Sequence, residues 1–112
     1  MATLADIRAN EYILSKTKME LAQAKERLNA LANEVHDGET PVGYEPAREE
    51  VFRLLKGIAD LNQTISIQYL SLAADAESAY EEENLISWAA QYAKCALEAE
   101  VESKYYAPPE SS

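Results

Sequence analysis

Ile7, Leu14, Leu21, Leu28 and Val35 recur at every seventh position, and Asn10, Thr17, Ala24 and Leu31 follow three places after the first four. A seam of this period over four heptads lies on one side of an α-helix only if the chain is helical throughout, so it predicts a first helix over about residues 4–36. At ~1.5 Å per residue that rod is about 50 Å long. It cannot bury its own stripe and needs a partner helix. Glu11, Lys18 and Lys25 on one flank of the seam and Glu20, Arg27 and Glu34 on the other carry both signs of charge, as expected beside a packed partner.

Gly38, Pro41, Gly43 and Pro46 crowd together and mark a loop over 37–45. Gly38 suits a left-handed cap and His36 the last turn of the first helix, where a cation complements the dipole. Pro46 is favoured at a first helical position, with Glu49 and Glu50 close behind, so a second helix is expected over about 46–77 with the seam Val51, Leu54, Ile58, Leu61, Ile65, Gln68 and Leu72. Between Ile65 and Ala76 apolar residues occur on every side, which places this helix between two neighbours. The alternation Ile65, Ile67, Tyr69 also fits a short strand, but it sits inside a long helical period.

Ile86, Ala89, Ala90, Ala93, Leu97 and Val101 repeat the helical pattern, and Ser78 with Glu81 fits a capping box that opens a third helix over about 80–106. The rival is one helix of about 60 residues running on through Ala79, Ile86 and Ala93, since neither Gly nor Pro falls between Gly57 and Pro108. The expected fold is therefore all-α: an elongated antiparallel hairpin or a three-helix bundle with coiled-coil-like heptad packing, in one domain spanning 1–112 with a tail from 107. The three-helix form is favoured because it covers the middle helix within one molecule.

Acids outnumber bases 20 to 10 in this 112-residue chain, against the clustered Lys and Arg that phosphate contacts require, so neither direct nucleic-acid binding nor an anionic membrane surface is expected. No apolar run is long enough to span a bilayer. The start MATLADIRAN lacks a secretory pattern and Cys95 has no partner for a disulfide, which makes a reducing cytoplasm the expectation. The only histidine, His36, and Cys95 fall on different helices without a third partner. Zinc, EF-hand, phosphate-loop and dinucleotide spacings are missing, and a lone histidine cannot supply a di-iron bundle site. We expect no enzyme, no metal and no cofactor. The carboxylates Glu49 and Glu50, or Glu98, Glu100 and Glu102, read as solvated helix surface.

Charge is distributed unevenly. Residues 1–56 hold ten acids and eight bases, whereas residues 57–112 hold ten acids and two bases. Between Lys56 and Lys94 no base occurs, and Asp60, Asp75, Glu77, Glu81, Glu82 and Glu83 lie in that window. One reading is solubility and helix capping; the other is that Asp75, Glu77 and Glu81–Glu83 meet a basic surface. Tyrosine outnumbers phenylalanine seven to one, which suits surfaces that exist both bound and free. Trp88 and Tyr92 share a helical face beside the acids, with Tyr80 and Tyr105 expected nearby, and could anchor a partner or pack in the core. The neutral polar band Asn62, Gln63, Thr64, Ser66, Gln68 and Ser71 is read as fixing register.

Two functions follow as expectations. One is a non-enzymatic binding protein occupying a basic surface of a protein partner, as an inhibitor or local nucleic-acid mimic; in composition alone the chain resembles small acidic helical phage proteins that block nucleases. The other is a coiled-coil scaffold, adaptor or virion component acting by homo-oligomerisation. Tyr106 and Glu110 show the Tyr-x-x-x-Glu spacing of secreted WXG-type hairpins, but the loop lacks the Trp-x-Gly that defines them.

Overall fold

The computed structural model describes residues 3–34 and 41–108. It contains three α-helices, α1 (Leu4–Ala32), α2 (Tyr44–Ala74) and α3 (Ala79–Ser103), and a closing 3-10 turn over Lys104–Tyr106. Among the described residues there is no strand, so the alternation at Ile65–Tyr69 is helical. The molecule is an elongated bundle measuring 64 × 29 × 20 Å.

Each helix begins where the local chemistry satisfies its free amides. Thr3 caps α1 with a full capping box: the Asp6 amide donates to Thr3 Oγ1 and the Thr3 amide donates to Asp6 Oδ2. The helix stops at Ala32, with Asn33 as cap, four residues before the expected end. Val35, His36 and Gly38, assigned to that end, lie outside the described residues. α2 starts two residues earlier than its proline suggests. Gly43, at φ 92° and ψ −7°, is the third residue of a turn in which the Tyr44 amide donates to the Pro41 carbonyl, 3.2 Å away. This is the left-handed conformation that a type II turn demands, and glycine adopts it without strain. Pro46 consequently falls within the first turn, where its missing N–H has no partner to lose.

The long-helix alternative is overturned at 75–78. α2 ends at Ala74 rather than 77, Asp75 caps it, and Ser78 opens α3 by accepting the Glu81 amide at 3.1 Å. A side-chain oxygen at the cap competes with continued helix, which is why a break is possible without glycine or proline. We expect Ser78→Ala to destabilise the protein by about 1 kcal/mol in chemical denaturation, and Ser78→Gly by only a few tenths.

α2 lies between the other two helices, whose Cα atoms nowhere approach within 8 Å of each other. Asn10 Nδ2 donates to Gln68 Oε1 near the start of α1, and Arg27 pairs with Glu50 near its end, so α1 and α2 are antiparallel. Lys56 bonds Glu100 at 2.5 Å and the Ser66 hydroxyl donates to the Ala89 carbonyl at 2.7 Å, which sets α3 antiparallel to α2. Ala89 and Ala99 are buried, so small side chains let these two helices close up. One core cluster joins Ile7, Leu14, Ile58 and Ile65 with Ala99; a second joins Ala24, Leu28, Val51 and Leu54. The seam positions of α1 and α2 are thus those the heptads select. The all-round apolar stretch of α2 is only partly covered, however: Ile67 is 58% and Leu70 48% exposed. Two neighbours do not surround α2 and leave part of its surface open. Among the described residues no helix is long and apolar enough to cross a membrane.

Candidate functional site

The acidic residues singled out by sequence gather where α2 hands over to α3. Asp75 ends α2, Glu77 lies in the connecting bend, and Glu81, Glu82 and Glu83 occupy the first turns of α3. All five are exposed, and among the described residues none pairs with a lysine or arginine. The bases that do form ion pairs, Lys25, Arg27, Arg48 and Lys56, pair with Glu102, Glu50, Glu45 and Glu100, all toward the other end of the bundle. Glu81 and Glu82 also sit in the first turn of α3, where the helix dipole favours negative charge.

The aromatic residues divide. Tyr80 is 77% exposed beside the acids. Trp88 is 52% exposed, so the indole is neither a core residue nor free. Tyr69 of α2 stacks on it with centroids 6.4 Å apart, and on Tyr92 at 5.7 Å. Tyr92 is half-buried, and its hydroxyl donates to Glu11 Oε2 on α1. Its phenol is therefore committed within the molecule. Tyr105 is not near Trp88: it lies 17 residues further on, about 25 Å along the helix at ~1.5 Å per residue.

Burial, and then the Glu11 carboxylate, push the Tyr92 hydroxyl well above its ordinary value of 10.0; Tyr69 is raised by the same two influences in the same order. A phenol held protonated in the folded state stabilises the fold below pH 10, where both states keep the proton. Above pH 10 the unfolded chain ionises first and stability falls. We expect the melting temperature to decline as pH rises beyond 10, with a shallower decline in Tyr92→Phe, followed by circular dichroism.

Several residues that organise this region carry no motif. Tyr69 reads as a seam flank, yet it is the ring on which both others rest. Asn62, one of the neutral polar band, is 1% exposed; its Nδ2 donates to the Ile58 carbonyl at 3.0 Å, and its Oδ1 has no partner. Ser66 and Gln68 of the same band make cross-helix bonds, whereas Gln63 and Thr64 are exposed. Cys95 is an exposed free thiol on α3, and His36, its only conceivable catalytic partner, lies outside the described residues. Among the described residues no group of three His, Cys, Asp or Glu side chains could hold a metal ion.

A shallow groove of about 330 Å³ runs between α2 and α3 on the outer face, lined by Ala59, Gln63, Ala93 and Leu97 among others. Ile67, one turn beyond Gln63 on α2, and Ile86, two turns before Ala93 on α3, are both exposed. No protein-family model, no curated protein and no solved structure matches this chain.

Proposed function

We propose that this is a non-enzymatic binding protein whose α2–α3 corner occupies a basic surface of a protein partner. The observation that carries the reading is the pairing pattern: Asp75, Glu77 and Glu81–Glu83 are exposed without a cationic partner among the described residues, while at the other end ion pairs tie the helices together. Uncompensated carboxylates close together project a field that speeds encounter with a cationic site and favours the correct partner over others. Tyr80 and the exposed flank of Trp88 supply apolar area beside that field, the combination from which interface anchors are made. The chain's own fold needs no cation there.

The test is charge reversal with a matched control. Glu81→Lys, Glu82→Lys and Glu83→Lys together are compared with Glu20→Lys, Glu26→Lys and Glu34→Lys, also exposed and free of ion pairs among the described residues. The immobilised wild type should capture proteins from source-cell extract at low salt and release them at high salt. The corner variant should lose that capture by at least tenfold, and the control variant should keep most of it. Equal capture by all three chains defeats the reading.

The exposed Ile67 and Leu70 of α2 and Ile86 and Leu97 of α3, the last lining the α2–α3 groove, favour a second reading, assembly by homo-oligomerisation. It predicts a salt-insensitive oligomer in light scattering that Leu97→Lys returns to monomer.

A further inference from the structure

The open sides of α2 and α3 border the same groove. On α3 the exposed Ile86, Ala90, Ala93, Leu97 and Val101 follow one another at intervals of three or four residues, and on α2 so do the exposed Asp60, Gln63, Ile67, Leu70 and Ala74. Residues so spaced share one side of a helix. Asp60, Gln63, Ala93 and Leu97 line the outer groove, so the two stripes flank it, one on each helix.

The two ends of this face differ in charge. On α3 the same spacing reaches Glu83 before Ile86 and Lys104 after Val101; on α2 Arg53 lies two turns before Asp60, and Asp75 follows Ala74 as the cap. All four are exposed, and among the described residues none forms an ion pair. The Lys56–Glu100 and Ser66–Ala89 bonds fix how the helices lie side by side, which puts Arg53 and Lys104 at one end and Asp75 and Glu83 at the other. Between the ends Lys56 bonds Glu100, and Asp60 stands one turn from Lys56, so the middle carries little net charge.

Such a face complements its own copy under one of the two possible two-fold rotations. An axis along the helices lays acidic corner on acidic corner, whereas an axis across them lays the basic end of one copy on the acidic end of the other. The midpoint of Glu83 and Lys104 falls between residues 93 and 94, and that of Arg53 and Asp75 at residue 64. These lie at one height, because Gln63 and Ala93 line the same part of the groove. A single axis there therefore matches both charge pairs, and it also brings Ile86 over Val101 and Ala90 over Leu97 of the second copy. From Glu83 to Lys104 the face is about 31 Å long at ~1.5 Å per residue, and two packed helices are about 20 Å wide. Each copy thus contributes roughly 600 Å², the lower bound per partner for a specific interface.

We propose that the outer α2–α3 face binds a second copy of this chain, α3 lying antiparallel on α3, with the apolar middle supplying affinity and Glu83–Lys104 and Asp75–Arg53 pairs setting the orientation. The proposal rests on the assembly reading and gives it a face and a direction.

Sedimentation velocity of the purified full chain should show a particle of twice the 12.4 kDa of one chain, weakened only slightly by high salt. Leu97→Lys should return it to the monomer. Lys104→Glu should weaken the low-salt dimer by about tenfold, because the reversed charge meets Glu83 twice across the axis, and adding Glu83→Lys should restore it. Orientation is read by disulfide trapping in a Cys95→Ser background. Chains carrying Ile86→Cys and Val101→Cys should cross-link when mixed and not alone; a mixture of Leu70→Cys and Ile86→Cys chains, which face each other only if corner lies on corner, should not. All the substituted positions are exposed, and the wild-type mass decides should a variant fail to fold. A monomeric wild type overturns the assembly reading and this proposal together. A dimer that traps positions 70 and 86, or that ignores Lys104→Glu, overturns this arrangement and leaves assembly standing. The acidic corner's capture of other proteins is tested separately, so its failure leaves these results untouched.

Discussion

Ile65→Ala is expected to remove about 3–4 kcal/mol of stability, at the upper part of the range for deleting a buried aliphatic side chain. Ile65 is completely buried in the cluster that joins Ile7 and Leu14 of α1, Ile58 of α2 and Ala99 of α3. A cavity there is bounded by all three helices, and none can close on it without separating from another. A domain of this size has about 5–15 kcal/mol in total, so the variant should remain folded at room temperature but melt roughly 10–20 °C lower. Urea denaturation should show the loss as a lower midpoint with unchanged slope. A loss under 1 kcal/mol would mean that the middle of α2 is not the shared core.

Arg48→Ala is the second large effect, expected at about 2–3 kcal/mol and of a different kind. Arg48 is buried near the start of α2, where its Nε and Nη2 donate to Glu45 Oε2 at 3.1 and 2.6 Å and its Nη1 donates to the Tyr106 carbonyl. The guanidinium thereby fastens the 3-10 turn at the end of α3 to the beginning of α2. Its removal leaves the carbonyl without a charged donor and the apolar stem without its packing. Glu45 is largely exposed and is not stranded, which keeps the cost below that of breaking a fully buried pair. Arg48→Met restores the stem and should recover about half. Hydrogen exchange should quicken at residues 101–107 and stay unchanged around Ile58 and Ile65.

Much of the bundle is legible in the chain because helix packing repeats a local rule. Ile7, Leu14, Ala24 and Leu28 are buried where the seven-residue series puts them, as are Val51, Leu54, Ile58 and Ile65. The break at Ser78 is legible through its cap. The start of α2 is less so, because proline marks tolerance for a first turn rather than its exact position, and the left-handed Gly43 supplies the earlier start. Of the candidate site, exposure of the acids follows from their charge. The state of the aromatic residues does not: Trp88 and Tyr92 are four apart on one helix, but which of them is covered depends on Tyr69 and Glu11, residues distant in sequence.

By itself the sequence determined the helical character of the chain, its apolar stripes and the concentration of negative charge in the second half, since each is a property of neighbours within a turn or two. Only the tertiary structure decided that α1 and α3 stand apart across α2, that Ile67 and Leu70 stay uncovered, and that Asn62 is buried with an acceptor unmet. Those depend on the angle at which two partners approach one helix, a relation between distant segments that no local period encodes.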